Sequence, residues 1–415
     1  MIAQNPLKRH NHLSFKGNLD HTRYGWLRLT PAYSVHLVSE LIAAHAGPDA
    51  VVLDPFCGTG TTALSCAEQG IACDTTDINP FLLWLSRVKT YPYSAQELDV
   101  FKTASTQIVQ TLQTLQTATD DVLWIPPLYQ IEKWWDRETL FALAHVINGI
   151  NELTGRIPET VSNLLKIAFC RTMIERSNAS FGHQSMSFKK SGQLSLFLTE
   201  RDLVVESWER SVSFIAEAAV SPITREPRIF FSDARNLHLN LEENYYSCVI
   251  TSPPYPNRMS YIRELRPYMY WLGYLTNGRD AGELDWQAIG GTWGCATSNL
   301  NKWEPDPVVE VPFPGFNDIL ERIARHSPIL SRYVHKYFHD MVMHCNSLFR
   351  VVRPGGRIIY IVGNSKFYDV LLPVDSIFAS LFAGAGFEDI SVRIIRKRSS
   401  KKELFEFAIA AKKPV

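Results

Sequence analysis

The sequence predicts an α/β fold: a doubly wound, Rossmann-like and mostly parallel sheet, edged by an antiparallel hairpin and interrupted by a mainly helical insertion. Three observations predict it. "AVVLD", "PFCGTGTT", "ALSCAEQG" and "IACDTTDIN" follow one another as apolar run, glycine-rich turn, helix and second apolar run, the order of a βαβ unit. Strand-like runs resume only after residue 226, so the sheet draws on two separated parts of the chain. The chain closes on "FEDISVRIIRKRSS" and "KKELFEFAIAAKK", two consecutive strand-like segments that read as a hairpin.

Taken in order, "TPAYSVHLVSELIAAHAG" reads as a helix, with Val35, Val38, Leu41 and Ile42 on one face and Gly47 near its end. "AVVLD" is a short, continuous apolar run of the kind that parallel strands bury on both faces. From about 95 to 225 the pattern turns helical, in "ELDVFKTASTQIVQTLQTLQ" and "ETVSNLLKIAFCRTMIERS", with "WIPPLYQIEKWWD" and the polar "NASFGHQSMSFKKSGQ" around them. This stretch reads as an insertion or a second lobe. "PRIFFSD" (227–233) and "YYSCVITSPP" (245–254) are the next strands. The Gly-, Pro- and Trp-rich stretch 278–315 reads as a long loop, too long for a passive connection. "SRYVHKYFHDMVMHCNSLFRVV" is a helix leading through "RPGG" into the strand "RIIYIVG", and another helix falls near 374–383. The division that follows is 1–94 and 226–415 for the two parts of one sheet domain, with 95–225 inserted between them.

The 415 residues hold 46% hydrophobic and 20% charged side chains, an ordinary globular balance with a sizeable core. Lys plus Arg equals Asp plus Glu, at 42 each, so global charge points to no polyanion partner, although a basic face is still compatible with it. Seven cysteines lie at irregular spacing with no CxxC pair, as expected of reduced, mostly buried thiols. The first residues lack the apolar core of a signal peptide, and no apolar run approaches a membrane span. A cytoplasmic protein is expected. The scattered Cys and His show no metal-ligand spacing, so no metal is expected either.

Glycines 58 and 60 stand between a strand and a helix, where bare backbone N–H groups approach a ligand at the positive end of the helix. Asp77 ends the next strand, roughly twenty residues on, where a carboxylate accepts bonds from ribose hydroxyls. Gly58, Gly60 and Ala63 also satisfy a dinucleotide fingerprint, so an NAD-dependent oxidoreductase is a rival reading. Asp54 at the strand tip would repel a pyrophosphate, and suits a cation such as the ammonium of S-adenosylmethionine. Asp233 in "FFSDARNL" ends another strand and suits an adenine amino group, or else caps a turn.

"TSPPY" (251–255) ends a strand at the carboxyl edge of the sheet, where such folds bind ligands. Pro253 and Pro254 fix φ and remove two donors, leaving stiff backbone that only accepts. Ser252 adds an acceptor and Tyr255 a ring face for stacking. An exocyclic amine on a nucleobase needs this set, because its nitrogen lone pair is delocalised into the ring. Two acceptors on its hydrogens draw the nitrogen towards tetrahedral geometry and localise that pair.

Together "DPFCGTGTT", "DINP", "SDARNL" and "TSPPY" resemble the amino-methylating DNA methyltransferases, site-specific enzymes that move a methyl group from S-adenosylmethionine to cytosine N4 or adenine N6. The resemblance covers about 25–90 and 227–412 and implies a class I methyltransferase sheet. It assigns Asp54, Pro55, Phe56, Gly58, Gly60, Thr61, Ile78 and Ala234 to the cofactor, Asp77 to its ribose and Asp233 to its adenine. Thr30 and Pro31 in "RLTPAY" would close over its methionine end. Ser252, Pro253, Pro254 and Tyr255 would form the catalytic loop that receives a base flipped from double-stranded DNA. The order of the motifs, cofactor before catalytic, is the reverse of that in many N4 enzymes. Ser at the first loop position is the pattern more typical of N4-cytosine enzymes, with adenine N6 the alternative. C5 methylation needs a loop cysteine after proline, and no Pro-Cys dipeptide occurs. A restriction-modification or defence role, with a cognate endonuclease as partner, is implied. A nucleic-acid-binding module without turnover is the other rival.

Three stretches are candidates for DNA contact. Arg258, Tyr261, Arg263 and Arg266 follow the catalytic loop directly. Lys189 and Lys190 close a small-polar stretch, and Arg396 and Arg398 lie in "RIIRKRSSKK", the densest basic run; both read equally as solvated surface. Target recognition falls to 95–225 or to 278–315, with Trp286 and Trp293.

Overall fold

The computed structural model describes residues 18, 22–29, 32–114, 123–180, 187–188, 199–292, 295–398 and 403–415. Helix α1 (Val35–His45) opens at Ser34, whose hydroxyl accepts the Leu37 N–H. Strand β1 (Val51–Asp54), helix α2 (Thr61–Gln69), strand β2 (Ala72–Asp77) and helix α3 (Pro80–Thr90) then form the βαβ unit and its following helix. Asn79 caps α3, and Pro80 occupies its first turn, where no N–H is needed.

Next come the helices α4 (Ala95–Thr114), α5 (Arg137–Leu153) and α6 (Glu159–Glu175), the short pair β3 (Ala179–Ser180) and β4 (Ser187–Phe188), and α7 (Glu200–Ala219). Their apolar faces build a core that also takes in Trp26, Phe81 and Leu85 from before the insertion and Tyr268 and Trp271 from after it. The inserted helices therefore share one interior with elements that flank the sheet.

Strands β5 (Arg228–Phe231) and β6 (Tyr246–Thr251) follow, then α8 (Tyr261–Trp271), α9 (Gly278–Gln287), α10 (Cys295–Leu300), α11 (Phe316–Ala324) and α12 (Pro328–Val351). Strand β7 (Val352–Gly363), the small hairpin β8 (Ser365–Phe367) and β9 (Val370–Leu372), helix α13 (Val374–Gly384) and the closing strands β10 (Glu388–Lys397) and β11 (Phe405–Lys412) complete the chain. The stretch 278–315 is thus not one long loop: α9 and α10 lie inside it, too short for their periodicity to show, and α9 is also broken up by two glycines. The glycines of the stretch are partly obligatory, since a Cβ on Gly291 would lie 1.7 Å from the Asp285 carbonyl oxygen.

The main sheet runs β10-β11-β7-β6-β1-β2-β5. Its inner pairs are parallel, and β11 is antiparallel to both β7 and β10, so the expected edge hairpin is present with its reversed strand one place in. Side chains alternate across the sheet as a period of two requires. Val52, Cys248, Ile250, Ile359 and Ile361 pack with α1 and α2, while Leu53, Val249, Ile358, Tyr360 and Val362 pack with α12 and α13. Chain connections leave β1 towards β2 on one side, and β6 flanks it on the other, so the switch point of the sheet lies between β1 and β6. Pairing of Val52 with Cys248 and of Leu53 with Val249 brings Asp54 and Thr251 together at that point. Among the described residues six cysteines are buried and unbridged, and no helix is long and apolar enough to cross a membrane.

Candidate active site

Asp54 is fully buried at the tip of β1. Its Oδ1 accepts the Thr251 hydroxyl at 2.6 Å and the Phe56 N–H at 3.1 Å. Its Oδ2 is buried with no hydrogen-bond partner among the described residues. Burial pushes the carboxyl pKa up to about 7, against the pull of the Thr251 and Thr62 hydroxyls. A buried acceptor without a donor is costly in the ligand-free protein. An ammonium group placed there would satisfy it, and a pyrophosphate would not.

The glycine loop needs glycine for two reasons. Gly58 and Gly60 have φ of +50° and +75°, in the left-handed region. A Cβ on Gly60 would also lie 2.7 Å from the Ser86 hydroxyl oxygen. The Gly58 N–H donates to Asp77 Oδ2 at 3.0 Å, and the Asn79 N–H to Asp77 Oδ1 at 2.9 Å. Burial pushes the Asp77 pKa up to about 6. Behind the loop, the buried Lys89 ammonium donates to the Thr59 carbonyl at 3.0 Å, and burial lowers its pKa to about 8. Thr61 lies buried in the first turn of α2, its hydroxyl 3.1 Å from that of Thr59. Pro55 is buried, and Phe56 and Ile78 are half-buried beside the loop.

Asp233 caps a short 3-10 turn through the Arg235 N–H at 2.9 Å, and the Arg235 guanidinium forks onto both its oxygens, at 2.6 Å for the shortest pair. Arg235 also reaches Asp340 at 3.3 Å and the Gln287 carbonyl at 2.9 Å. Asp233 is thus held as an aimed carboxylate as well as a cap. The neighbouring Ala234 carbonyl lies 2.8 Å from His344 Nδ1, whose other nitrogen meets the Tyr360 hydroxyl at 2.6 Å. Burial lowers the His344 pKa to about 4, so the ring is neutral, and Phe56 packs edge-on against it at 4.9 Å.

At the end of β6 the Ser252 hydroxyl donates to the Ile361 carbonyl at 3.1 Å, which leaves its oxygen lone pairs for an incoming donor. The Pro254 carbonyl accepts the Tyr337 hydroxyl at 2.7 Å, whereas the Pro253 carbonyl accepts nothing among the described residues. The Tyr255 N–H donates to the Tyr261 hydroxyl at 3.4 Å, and the Tyr255 hydroxyl donates to Glu406 at 3.0 Å. The loop is therefore pinned from β7, α8, α12 and β11.

The basic candidates separate. Arg258 is exposed, with a left-handed φ of +64°. Arg263 and Arg266 are half-buried on α8, Arg266 with its guanidinium 5.3 Å from the Trp134 ring centre. Tyr261 backs the loop 252–255. Arg396 is bound to Glu406 at 2.7 Å, and Arg398 lies over the Tyr255 ring at 4.9 Å. Trp286 is half-buried with the Lys336 ammonium 4.7 Å above it. Thr30, Pro31, Lys189, Lys190 and Trp293 lie outside the described residues.

A family model for N6/N4 enzymes, described as a DNA methylase, matches residues 13–87, the stretch with the glycine loop and Asp77. Nearly the whole chain is similar to the Type II methyltransferase M.AvaI of Nostoc sp., at 23% identity over 94% of this chain and 85% of that protein. These two likenesses support an amino-methyltransferase family. Likeness to the Type II methyltransferase M.BsoBI of Geobacillus stearothermophilus is 21% over 93% of this chain and 82% of that one. A solved structure from Methanosarcina mazei, described as SAM-dependent methyltransferases, covers 90% of this chain and 97% of that chain at 9% identity and a TM-score of 0.30. The fold rests on the sheet order rather than on that likeness.

Several residues that support the candidate site carried no sequence signal of their own. Lys89, Tyr337, His344 and Glu406 come from α3, α12 and β11, far along the chain from the motifs they support. Thr251 was adjacent to the catalytic loop, and its place as the last residue of a buried strand beside an acid was the available clue.

Proposed function

We propose that this amino-methyltransferase uses S-adenosylmethionine to methylate the exocyclic amino nitrogen of a base in double-stranded DNA, cytosine N4 by preference. The observation that carries the reading is the Thr251–Asp54 bond of 2.6 Å at the sheet's switch point. It couples the strand of the glycine loop to the strand of the catalytic loop, so a cation-binding carboxylate and an amine-binding loop share one crevice. The cofactor, when bound, supplies an electrophilic methyl group on sulfur.

The chain's own residues do the rest. The orphaned Asp54 oxygen and the Asp77 carboxylate bind and orient, at the ammonium and the ribose respectively. Asp233 with Ala234 receives the adenine, beside Phe56. Ser252 Oγ and the Pro253 carbonyl, the two acceptors left open in the loop, take the two amine hydrogens and localise the nitrogen lone pair. Tyr255 offers a ring face to the base, worth roughly 1–3 kcal/mol by stacking. Holding the partners in reach is the main contribution of the protein. Preference for cytosine rests on Ser252 at the first loop position. The named Type II relatives suggest a restriction-modification setting with a partner endonuclease.

Transfer of tritiated methyl to unmodified duplex DNA tests this, followed by long-read sequencing of the product. Label in DNA at cytosine N4, lost about 10²-fold in Ser252→Ala, is expected. Label at adenine N6 transfers the preference to the other base. No transfer to any DNA, or tighter binding of NAD than of S-adenosylmethionine, overturns the reading.

A further inference from the structure

Arg396 and Arg398, in the basic run at the end of β10, do not reach outward as a free phosphate-binding strip. Arg396 donates to Glu406 through Nε at 2.7 Å and Nη2 at 3.3 Å, and Glu406 is 6% exposed. The same carboxylate accepts the Tyr255 hydroxyl at 3.0 Å. Arg398 lies over one face of the Tyr255 ring, its guanidinium carbon 4.9 Å from the centre, and is fixed by a bond from Nη1 to the Asn364 carbonyl at 3.0 Å. Gly363, the last residue of β7, completes the seat: a Cβ there would lie 2.3 Å from Arg398 Nη1 and 2.9 Å from Tyr255 Cε2. The ring of the catalytic loop is therefore seated on the antiparallel edge of the sheet by a carboxylate at its hydroxyl, a cation on one face and bare backbone at its edge.

We infer that Glu406, Arg398 and Gly363 are positioning residues, and that the closing hairpin exists in this enzyme to hold Tyr255 with one ring face offered to the target base. The inference rests on the proposed function, and it reassigns Arg396 and Arg398 from DNA phosphate to the machinery behind the loop. A proton relay from the amine through Ser252 and Tyr255 to Glu406 is a weaker account of the same atoms. The Ser252–Tyr255 link is 3.5 Å long, the Ser252 hydrogen is already given to Ile361, and the carboxylate is paired with Arg396.

The test is a double-mutant cycle on the full chain with Glu406→Ala, Tyr255→Phe and the double variant, measuring kcat and KM for DNA and for cofactor separately. Base extrusion is followed by fluorescence of 2-aminopurine at the target position, and folding by thermal unfolding. Positioning through the Tyr255 hydroxyl predicts that either single change lowers kcat about 10²-fold, and that the double variant is no slower than the worse single one. KM for cofactor stays within about twofold of wild type, and 2-aminopurine fluorescence shows the base extruded but loosely held. Gly363→Ala, which keeps every charge, lowers kcat in the same way. Glu406→Ala with wild-type kcat, or single losses that multiply in the double variant, overturns the inference while the proposed function stands. A uniform loss tracking a fall in Tm, with cofactor KM raised as well, also overturns it. Wild-type protein inactive on every DNA overturns both.

Discussion

Asp54 shows how burial and an unmet bond raise the pKa of one carboxylate. Its pKa is raised from 3.8 to about 7, so the folded, ligand-free protein holds a proton that the unfolded chain has lost. The stability it contributes is full below pH about 4 and is lost as pH rises through about 7; Asp77, raised to about 6, adds in the same direction. Thermal unfolding of the ligand-free protein should therefore show Tm falling across that window, and Asp54→Asn should flatten the upper part of it. A cationic ligand reverses the preference, because it binds the ionised form. Cofactor affinity, followed by calorimetry, should rise with pH up to about 7 and then level off. In Asp54→Asn it should drop roughly 10- to 100-fold, the worth of a charged hydrogen bond. The sequence placed Asp54 at the strand tip from "VVLD" alone; the open oxygen needed Thr251 and Phe56 to occupy the other one.

At the scale of elements, α8 carries the chain from the loop 252–255 into the helical insertion's core, and its start is fixed by Ser260. The Ser260 hydroxyl accepts the Arg263 N–H at 3.1 Å and donates to the buried Asp285 at 2.5 Å, tying α8 to α9. Ser260→Ala should cost about 2 kcal/mol, about 1 for the cap and the remainder for a buried carboxylate that loses a donor. Chemical denaturation measures it. Lys89 plays a comparable part for the glycine loop. Lys89→Met removes the donor to the Thr59 carbonyl, and should weaken cofactor binding while sparing DNA binding. Equal loss of both would mean a general unfolding of the loop's surroundings. Helices α1, α4, α6 and α12 were legible because a period of 3.6 residues persists over many positions, and the strands of the main sheet as short apolar runs between turn signals. Helices α9 and α10 were not, because ten and six residues give too few turns for a period to stand out from glycine and tryptophan.

For the whole molecule, the joint that matters is Arg23, which is 1% exposed. Its guanidinium donates to the carbonyls of Lys89 and Tyr91 at 2.9 and 2.6 Å, and to those of Ala219 and Ser221 at 2.6 and 2.8 Å. It thus ties the N-terminal segment to the end of α3 and to the end of α7, across both ends of the insertion. Arg23→Met leaves four carbonyls without that donor and should destabilise the protein by about 3–5 kcal/mol. Loss of cofactor binding should follow, through Lys89 at the adjoining α3 end. A variant with unchanged Tm would show the insertion docked by its apolar core alone. By itself the sequence determined the α/β class, the glycine loop, the acids at strand tips and the stiff acceptor loop, because each is a local pattern of a few residues with a fixed backbone consequence. Only the tertiary structure decided that β1 and β6 are neighbours, that the insertion shares a core with α8, and that Arg396 lies on Glu406 and Arg398 over the Tyr255 ring. Those facts depend on strand order and on contacts between residues more than a hundred positions apart, and no short-range pattern encodes which surfaces will meet.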